Sequence, residues 1–250
     1  MSTGAAAASW DAEYASGRYR HDPPVGFTRD IIGAARSGNL RRGLYIGCGN
    51  GRNLVPLSDA GLDLIGLDIS ARAVGQLRER RPGAARLVVG GIDALRPSAA
   101  FDLVIGIQVF QHGHRGQAHR HLARAAAHVA HGGLLCVRVN ATGTDLRHRH
   151  ERTEEAGDGS FTVRYLDGPK AGLEIHFFTA AELAGLIGKG FTALMPLRLD
   201  STPHVPPATG QWSQWEAIWR RRHPVIESQH AGRAASDPAA AGASPGGLAP

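Results

Sequence analysis

The stretch Leu44-Tyr45-Ile46-Gly47-Cys48-Gly49-Asn50-Gly51-Arg52-Asn53 is a short apolar run that breaks into a glycine-rich turn and then opens a helix-like segment. Gly47, Gly49 and Gly51 remove Cβ atoms where a chain must turn sharply and where a ligand can touch the backbone. The helix start that follows offers unpaired N–H donors. Such a pattern fits a cofactor loop, and it also fits a plain strand-to-helix turn. The neighbouring sequence separates the two readings.

The next apolar run, Leu64-Ile65-Gly66-Leu67-Asp68-Ile69-Ser70, ends in an acid, with Ser70 placed to cap a helix. Asp68 follows the first glycine by about 20 residues, the distance at which an acid on the tip of a second parallel strand accepts both hydroxyls of a ribose. The pair points to a nucleoside-bearing cofactor. A dinucleotide fingerprint would need a small residue where this chain has Arg52, because that helix must pack close to the strand and leave room for a pyrophosphate. Arg52 therefore argues against NAD.

From Leu44 onward strand-like and helix-like segments alternate: Leu44–Ile46, Leu64–Asp68, Arg86–Val89, Phe101–Val109 and Leu134–Val139 read as strands with helices between most of them. Such alternation builds a parallel sheet with helices on both faces. A ligand then lies across the carboxyl ends of the strands, at the switch point between the first and the fourth, with Gly47, Asp68, Gly91-Ile92-Asp93 and Gln108 around one crevice.

Four ordered motifs, "LYIGCGNG", "GLDIS", "FDLVIGIQVFQHG" and "HGGLLCVRV", make roughly Leu40 to Arg222 resemble the class I S-adenosylmethionine-dependent methyltransferases, and "SWDAEYASGRY" is similar to the N-terminal lid of small-molecule members. The resemblance implies an α/β, Rossmann-like, doubly wound seven-stranded sheet with an antiparallel closing pair. It implies lid helices over residues 1–39, a methyltransferase domain over 40–222 with an insert at about 141–178, and a disordered tail over 223–250. It also implies S-adenosyl-L-methionine as cofactor, held by Tyr14, Tyr19, Gly47, Cys48, Gly49, Asp68, Ile69, Ile92, Asp93 and Gln108. Two positions depart from the family pattern. Tyr45 stands where an acid usually anchors the loop, and Gly91 takes the place of the acid that usually ends the third strand, with Asp93 two residues late.

Composition bounds the rest. The 250 residues, 42% hydrophobic, suffice for one domain with a sizeable core. No apolar run is long enough to span a bilayer and the start lacks a secretion signal, so a cytoplasmic location is expected. Cys48 and Cys136 read as reduced core thiols. The net charge of +6 comes almost entirely from arginine, with lysine only at Lys170 and Lys189. The arginines are mostly scattered, which fits a solvated surface better than a nucleic-acid face. Nucleic acid and membrane are not expected as partners; a small-molecule acceptor is, with the chain a monomer or homodimer.

Trp10, Tyr14 and Tyr19 recur at near-helical spacing after a small-residue start, Met1 to Ala8, that reads as loose. The helix after Gln117 has Leu122, Ala125, Ala126 and Val129 as its apolar stripe and His121, Arg124, His128 and His131 on a solvated face, with Gly132-Gly133 to end it. No metal site is expected there. Ala141 to Pro169 reads as a long charged insertion, Phe161–Tyr165 near its end and Leu173–Phe178 beyond it make a hairpin, and Thr179 with Glu182 forms a capping box. Methyl transfer from a sulfonium is an in-line displacement that asks mostly for proximity and a dry pocket. Where the acceptor must lose a proton, His112, His114 and His176 are the candidate bases, and Asn140 and Tyr165 are candidate substrate contacts. The reading is a methyltransferase acting on O, N or S of a small molecule, in specialised metabolism. The alternatives are an RNA- or protein-modifying methyltransferase and a non-catalytic or NAD-binding Rossmann protein.

Overall fold

The computed structural model describes residues 3–83, 86–96 and 98–224. Its elements begin with α1 (Thr3–Ala15), α2 (Phe27–Ser37), β1 (Arg42–Ile46), α3 (Leu54–Asp59), β2 (Asp63–Asp68), α4 (Ala71–Arg80), β3 (Arg86–Val89), β4 (Phe101–Ile107), α5 (Arg115–Ala127) and β5 (Val129–Asn140). They continue with β6 (His150–Glu155), β7 (Phe161–Tyr165), β8 (Glu174–Phe177), α6 (Ala180–Ile187), β9 (Phe191–Pro203) and β10 (Gln211–Arg221).

Seven strands form one sheet in the order β3-β2-β1-β4-β5-β10-β9. β1 to β5 are mutually parallel, and β10 runs antiparallel to both its neighbours. This is the doubly wound architecture with an antiparallel closing pair that the alternation and the resemblance imply. The period of two along β1 sets its layers: Leu44 and Ile46 pack with Leu67, Val104 and Val137 beneath α5 and α6. Tyr45, one residue out of phase, joins Leu64, Ile105 and Cys136 beneath α2, α3 and α4. Both cysteines are free and buried. Among the described residues no helix is long and apolar enough to cross a membrane.

Three expectations are corrected. The N-terminal segment is helical from Thr3, not loose to Ala8, since its run of alanines has high helix propensity. The helix after Gln117 ends at Ala127, five residues early, and Val129 already belongs to β5. Gly132-Gly133 instead lie inside that strand, where the pairing with β4 shifts register between Phe101 and Leu103. The charged segment before Phe161 is not a loop throughout: β6 pairs with β7, so the insert is a three-stranded antiparallel sheet, β6-β7-β8, on its own cluster of Phe161, Val163, Tyr165, Ile175 and Phe177. Of the expected tail, residues 225–250 lie outside the described residues.

The insert sheet is fixed to the main domain by main-chain bonds. Gly113 N donates to Glu174 O at 2.8 Å and His176 N to Gln111 O at 2.8 Å, which stitches β8 to the loop after β4. Phe178 N donates to Asn140 O at 2.9 Å at the end of β5. The closing strands are held by a buried charge network, in which Glu216 accepts from Arg138 Nε at 2.8 Å and from Arg198 Nη2 at 2.7 Å.

Candidate active site

The glycine loop leaves β1 with its amides already committed. Gly47 N and Cys48 N both donate to Leu67 O, at 2.7 and 3.1 Å, and Gly49 N donates to Asp68 Oδ2 at 2.7 Å. The loop is thus anchored to the end of β2, and Tyr45, buried on the far face, takes no part. Gly47 and Gly49 have φ of +70° and +53°, and a Cβ on them would meet Val109 Cγ2 at 2.6 Å and Tyr14 Oη at 2.4 Å. These two glycines are required by close approach as well as by backbone sign.

Asp68 Oδ1 accepts from Ser70 N at 2.8 Å, so each carboxylate oxygen holds one amide and keeps lone pairs for a diol. Burial pushes its carboxyl above the ordinary range, against the pull of the Ser70 and Gly49 amides. Gln108, at the end of β4, adopts φ +57°, a left-handed conformation that turns the chain over the crevice.

A cavity of about 330 Å³ opens at this edge of the sheet, within the size range of small-ligand sites. Its floor is Gly47, Asp68, Ile69, Gln108 and Val109, and one side is Gly91, Ile92 and Asp93. α1 covers it with Ala6, Trp10 and Tyr14, and the insert contributes Arg164, Gly172, Leu173 and Glu174. α1 is held down by Asp11 Oδ1, which accepts from Ser70 Oγ at 2.6 Å and Arg72 N at 3.0 Å. Gln76 Nε2 adds a bond to Tyr14 O at 2.9 Å.

His112 stands at the junction of these parts. Its ring lies edge-on to Trp10 with centroids 5.1 Å apart, and its Nε2 is 3.3 Å from Gln108 O. A carbonyl can only accept, so Nε2 carries the ring proton and Nδ1 is left as an acceptor. Burial, with Lys170 as the next cause, pushes His112 down to about 3. The imidazole is therefore neutral throughout the physiological range.

The other sequence candidates fall elsewhere. His114 is the N-cap of α5, its amide bonded to Gln117 Oε1 at 3.1 Å. His176, expected over the site, is fully buried between Thr162 and Glu182. Asn140 is buried beside Gln214, and Tyr165 is packed in the insert's own core against His148 and His150. Tyr19 stands behind Tyr14 with its hydroxyl on Glu13, and Cys48 turns its sulfur into the core near Gly66. Gly49 lies directly beneath Tyr14, outside the lining. Asp93 lines the cavity but is paired with Arg124.

The sequence reading missed Arg164, Leu173 and Glu174, which lay in a segment with no motif, and His121, assigned to a solvated face but lining the cavity. His128 of the same set is buried and bonded to Ala99 O at 2.7 Å. Glu182 supplies only half of its expected capping box: its amide donates to Thr179 Oγ1, while its carboxylate faces His119, His176 and Arg115.

Residues 44–133, the segment from β1 through α5 that builds the cavity floor, match the model of a family described as a methyltransferase domain. That segment is similar to a methyltransferase domain, in line with the resemblance its motifs carry. No curated protein sequence matches it. Solved structures of methyltransferases share its fold. The 1,6-didemethyltoxoflavin-N1-methyltransferase of Burkholderia thailandensis, solved with 1,6-didemethyltoxoflavin and S-adenosylhomocysteine, is 19% identical with TM-score 0.58 over 89% of this chain and 92% of that one. The CcbJ methyltransferase of Streptomyces caelestis is 16% identical with TM-score 0.57, over 82% and 95%. CalS10, an amino pentose methyltransferase of Micromonospora echinaspora involved in calicheamicin biosynthesis, is 18% identical with TM-score 0.52, over 82% and 96%.

Proposed function

We propose that this methyltransferase acts on a nitrogen or oxygen atom of a small molecule in specialised metabolism, with the acceptor seated between His112 and the insert sheet. The observation that carries the reading is the cover over the cavity: α1 roofs it with Trp10 and Tyr14, and Leu173 and Glu174 wall one side. A pocket of this size, covered by one helix and walled by the insert, suits a small acceptor. Pairing of Arg115, Arg124, Arg138, Arg164 and Arg198 with carboxylates further supports a small acceptor over a polyanion. The names of the neighbours, one acting on an amino sugar in calicheamicin biosynthesis and one on a heterocyclic nitrogen, favour the same class.

Bound in the crevice, S-adenosyl-L-methionine supplies a methyl group already activated as a sulfonium. Asp68 would bind the ribose hydroxyls through its remaining lone pairs, and Gly47 would let the backbone approach. Ile69 and Ile92 give apolar walls for the adenine, and Tyr14 and Gln108 flank the methionine end. His112 orients the acceptor by taking an N–H or O–H hydrogen bond at Nδ1. A hydroxyl oxygen becomes strongly acidic as it gains a methyl group, so a weak neutral base in that place is enough to receive its proton, whereas a methylated amine keeps its proton until it is released to water. His114, His176, Asn140 and Tyr165 have no direct part in this reading.

The test is calorimetric titration with S-adenosylhomocysteine and separately with NADH, followed by a screen of small aromatic and amino-sugar acceptors with isotope-labelled methyl donor. Binding of the adenosyl ligand alone, with label transferred to an acceptor in a His112-dependent manner, is the expected result. Label transferred only to RNA or protein would overturn the acceptor class.

A further inference from the structure

Three side chains outside the cavity converge between the insert sheet and the helices: His119 on α5, His176 on β8 and Glu182 in the first turn of α6. One ligand atom from each lies within 4.8 Å of the others. His119 Nε2 is 2.7 Å from Glu182 Oε1, and His176 Nε2 is 3.0 Å from Glu182 Oε2. His176 and Glu182 have side chains only 0% and 2% exposed, while His119, at 24%, opens the group to solvent.

The hydrogen-bond count around His176 does not close with a neutral ring. Glu154 Oε2 accepts from Thr162 Oγ1 at 2.8 Å and from Arg115 N at 2.7 Å. Both partners are donors to that oxygen, so Glu154 serves there as an acceptor only. Thr162 has one proton and spends it there. Its oxygen must then accept from His176 Nδ1, 3.0 Å away. With Nδ1 protonated, Nε2 of the neutral ring aims a lone pair at Glu182 Oε2. Two acceptors cannot face each other at that distance in a buried site without a positive charge between them.

We propose that a divalent transition-metal ion of the zinc type supplies that charge, bound by His119 Nε2, His176 Nε2 and the Glu182 carboxylate, with water in the fourth position on the His119 side. Two imidazoles and one carboxylate form an established ligand set for such ions, at about 2.0–2.2 Å from each donor. Ligand atoms around a tetrahedral ion at those lengths stand a little over 3 Å apart; the two nitrogen–carboxylate spacings, 2.7 and 3.0 Å, lie just inside that value, and the two ring nitrogens are within 4.8 Å of each other. The Glu154–Thr162–His176 relay is the kind of outer support that fixes a ligand histidine's tautomer and orientation. Arg115 Nε, 2.7 Å from Glu182 Oε1 and on a half-exposed side chain, is the competitor that the ion displaces. Because the three ligands come from α5, β8 and α6, the ion pins the insert sheet to the main domain.

The experiment uses the tag-free full chain, stripped with chelator and titrated with Co²⁺. The expected result is one Co²⁺ per chain with the visible absorption of a four-coordinate site, displaced by Zn²⁺. His119→Ala, at the solvent-facing ligand, weakens binding at least about tenfold, and Arg115→Ala tightens it by removing the competing guanidinium. Absence of one-per-chain binding to the wild type, equal binding by His119→Ala, or weaker binding by Arg115→Ala would each overturn the assignment. A second ring proton on His176 would then be what balances Glu182.

Discussion

Asp68 Oδ2 accepts the amide of Gly49 at 2.7 Å, so the acid at the end of the second strand also ties down the glycine loop that leaves the first. Asp68→Ala removes that anchor together with the acceptor for Ser70 N. The expected outcome is a loss of roughly 2 kcal/mol or more in S-adenosylhomocysteine binding, about thirtyfold in affinity, with stability lowered by about 1–3 kcal/mol for the stranded amides. Calorimetric titration reads the first and denaturant unfolding the second. Unchanged affinity would remove Asp68 from the binding site.

Gly49→Ala meets two penalties that can be separated. The residue holds φ +53°, which costs an alanine about 1–2 kcal/mol, and its new Cβ would lie 2.4 Å from Tyr14 Oη. Adding Tyr14→Ala relieves only the second. In a double-mutant cycle on unfolding free energy the pair should therefore couple by about 1 kcal/mol or more, whereas additivity would mean that α1 does not press on the loop.

His112 carries a pH signature whose sign is set by its depressed value. The ring titrates near 6.5 when unfolded and is pushed down to about 3 by burial and then Lys170. Between those values the unfolded chain binds a proton that the folded chain does not. Stability is accordingly full above pH 6.5 and falls as the solution is acidified, by about 2 kcal/mol at pH 5. His112→Gln should flatten this slope by one proton in urea unfolding measured from pH 7 to 4.5. An unaltered slope would place the ring in water.

Glu216 joins three strands and a helix through its two arginines, since Arg198 also bonds Asp30 of α2 at 2.6 Å and Arg138 bonds Asp200 of β9 at 2.6 Å. Glu216→Ala leaves Arg138 buried with one partner gone. A loss of about 3–5 kcal/mol follows, read as a fall in Tm of roughly 6–20 °C. Glu216→Leu combined with Arg138→Met should recover much of it, because no buried charge is then stranded.

The sheet was legible because its strands are apolar runs of ordinary length separated by glycine and capped helix starts, a signal carried within a few residues of each element. β6 was not: His150–Glu155 has polar side chains on both faces, and its pairing rests on partners such as Arg164, which bonds Glu151 at 2.9 Å from thirteen residues away. The early end of α5 was hidden because Val129 fits the helical stripe as well as the strand it begins. At the cavity, the positions of Asp68 and Gly47 were readable from spacing alone. The fates of His119 and His176 depended on Glu182, 63 residues from the first, which periodicity places in a helix cap without saying what its carboxylate meets. Arg164, Leu173 and Glu174 reach the cavity only because the insert folds back over it.

The insert's attachment through peptide groups has an evolutionary consequence. Gly113 N to Glu174 O and His176 N to Gln111 O are bonds that nearly any residue at those positions can make. Leu173 can therefore be exchanged, and Glu174 with it, without unmooring the wall they belong to. The lining of the cavity and the persistence of its shape are therefore separable under mutation: point substitutions can redraw the wall while the bonds that moor the insert, and the glycine loop opposite, stay as they are.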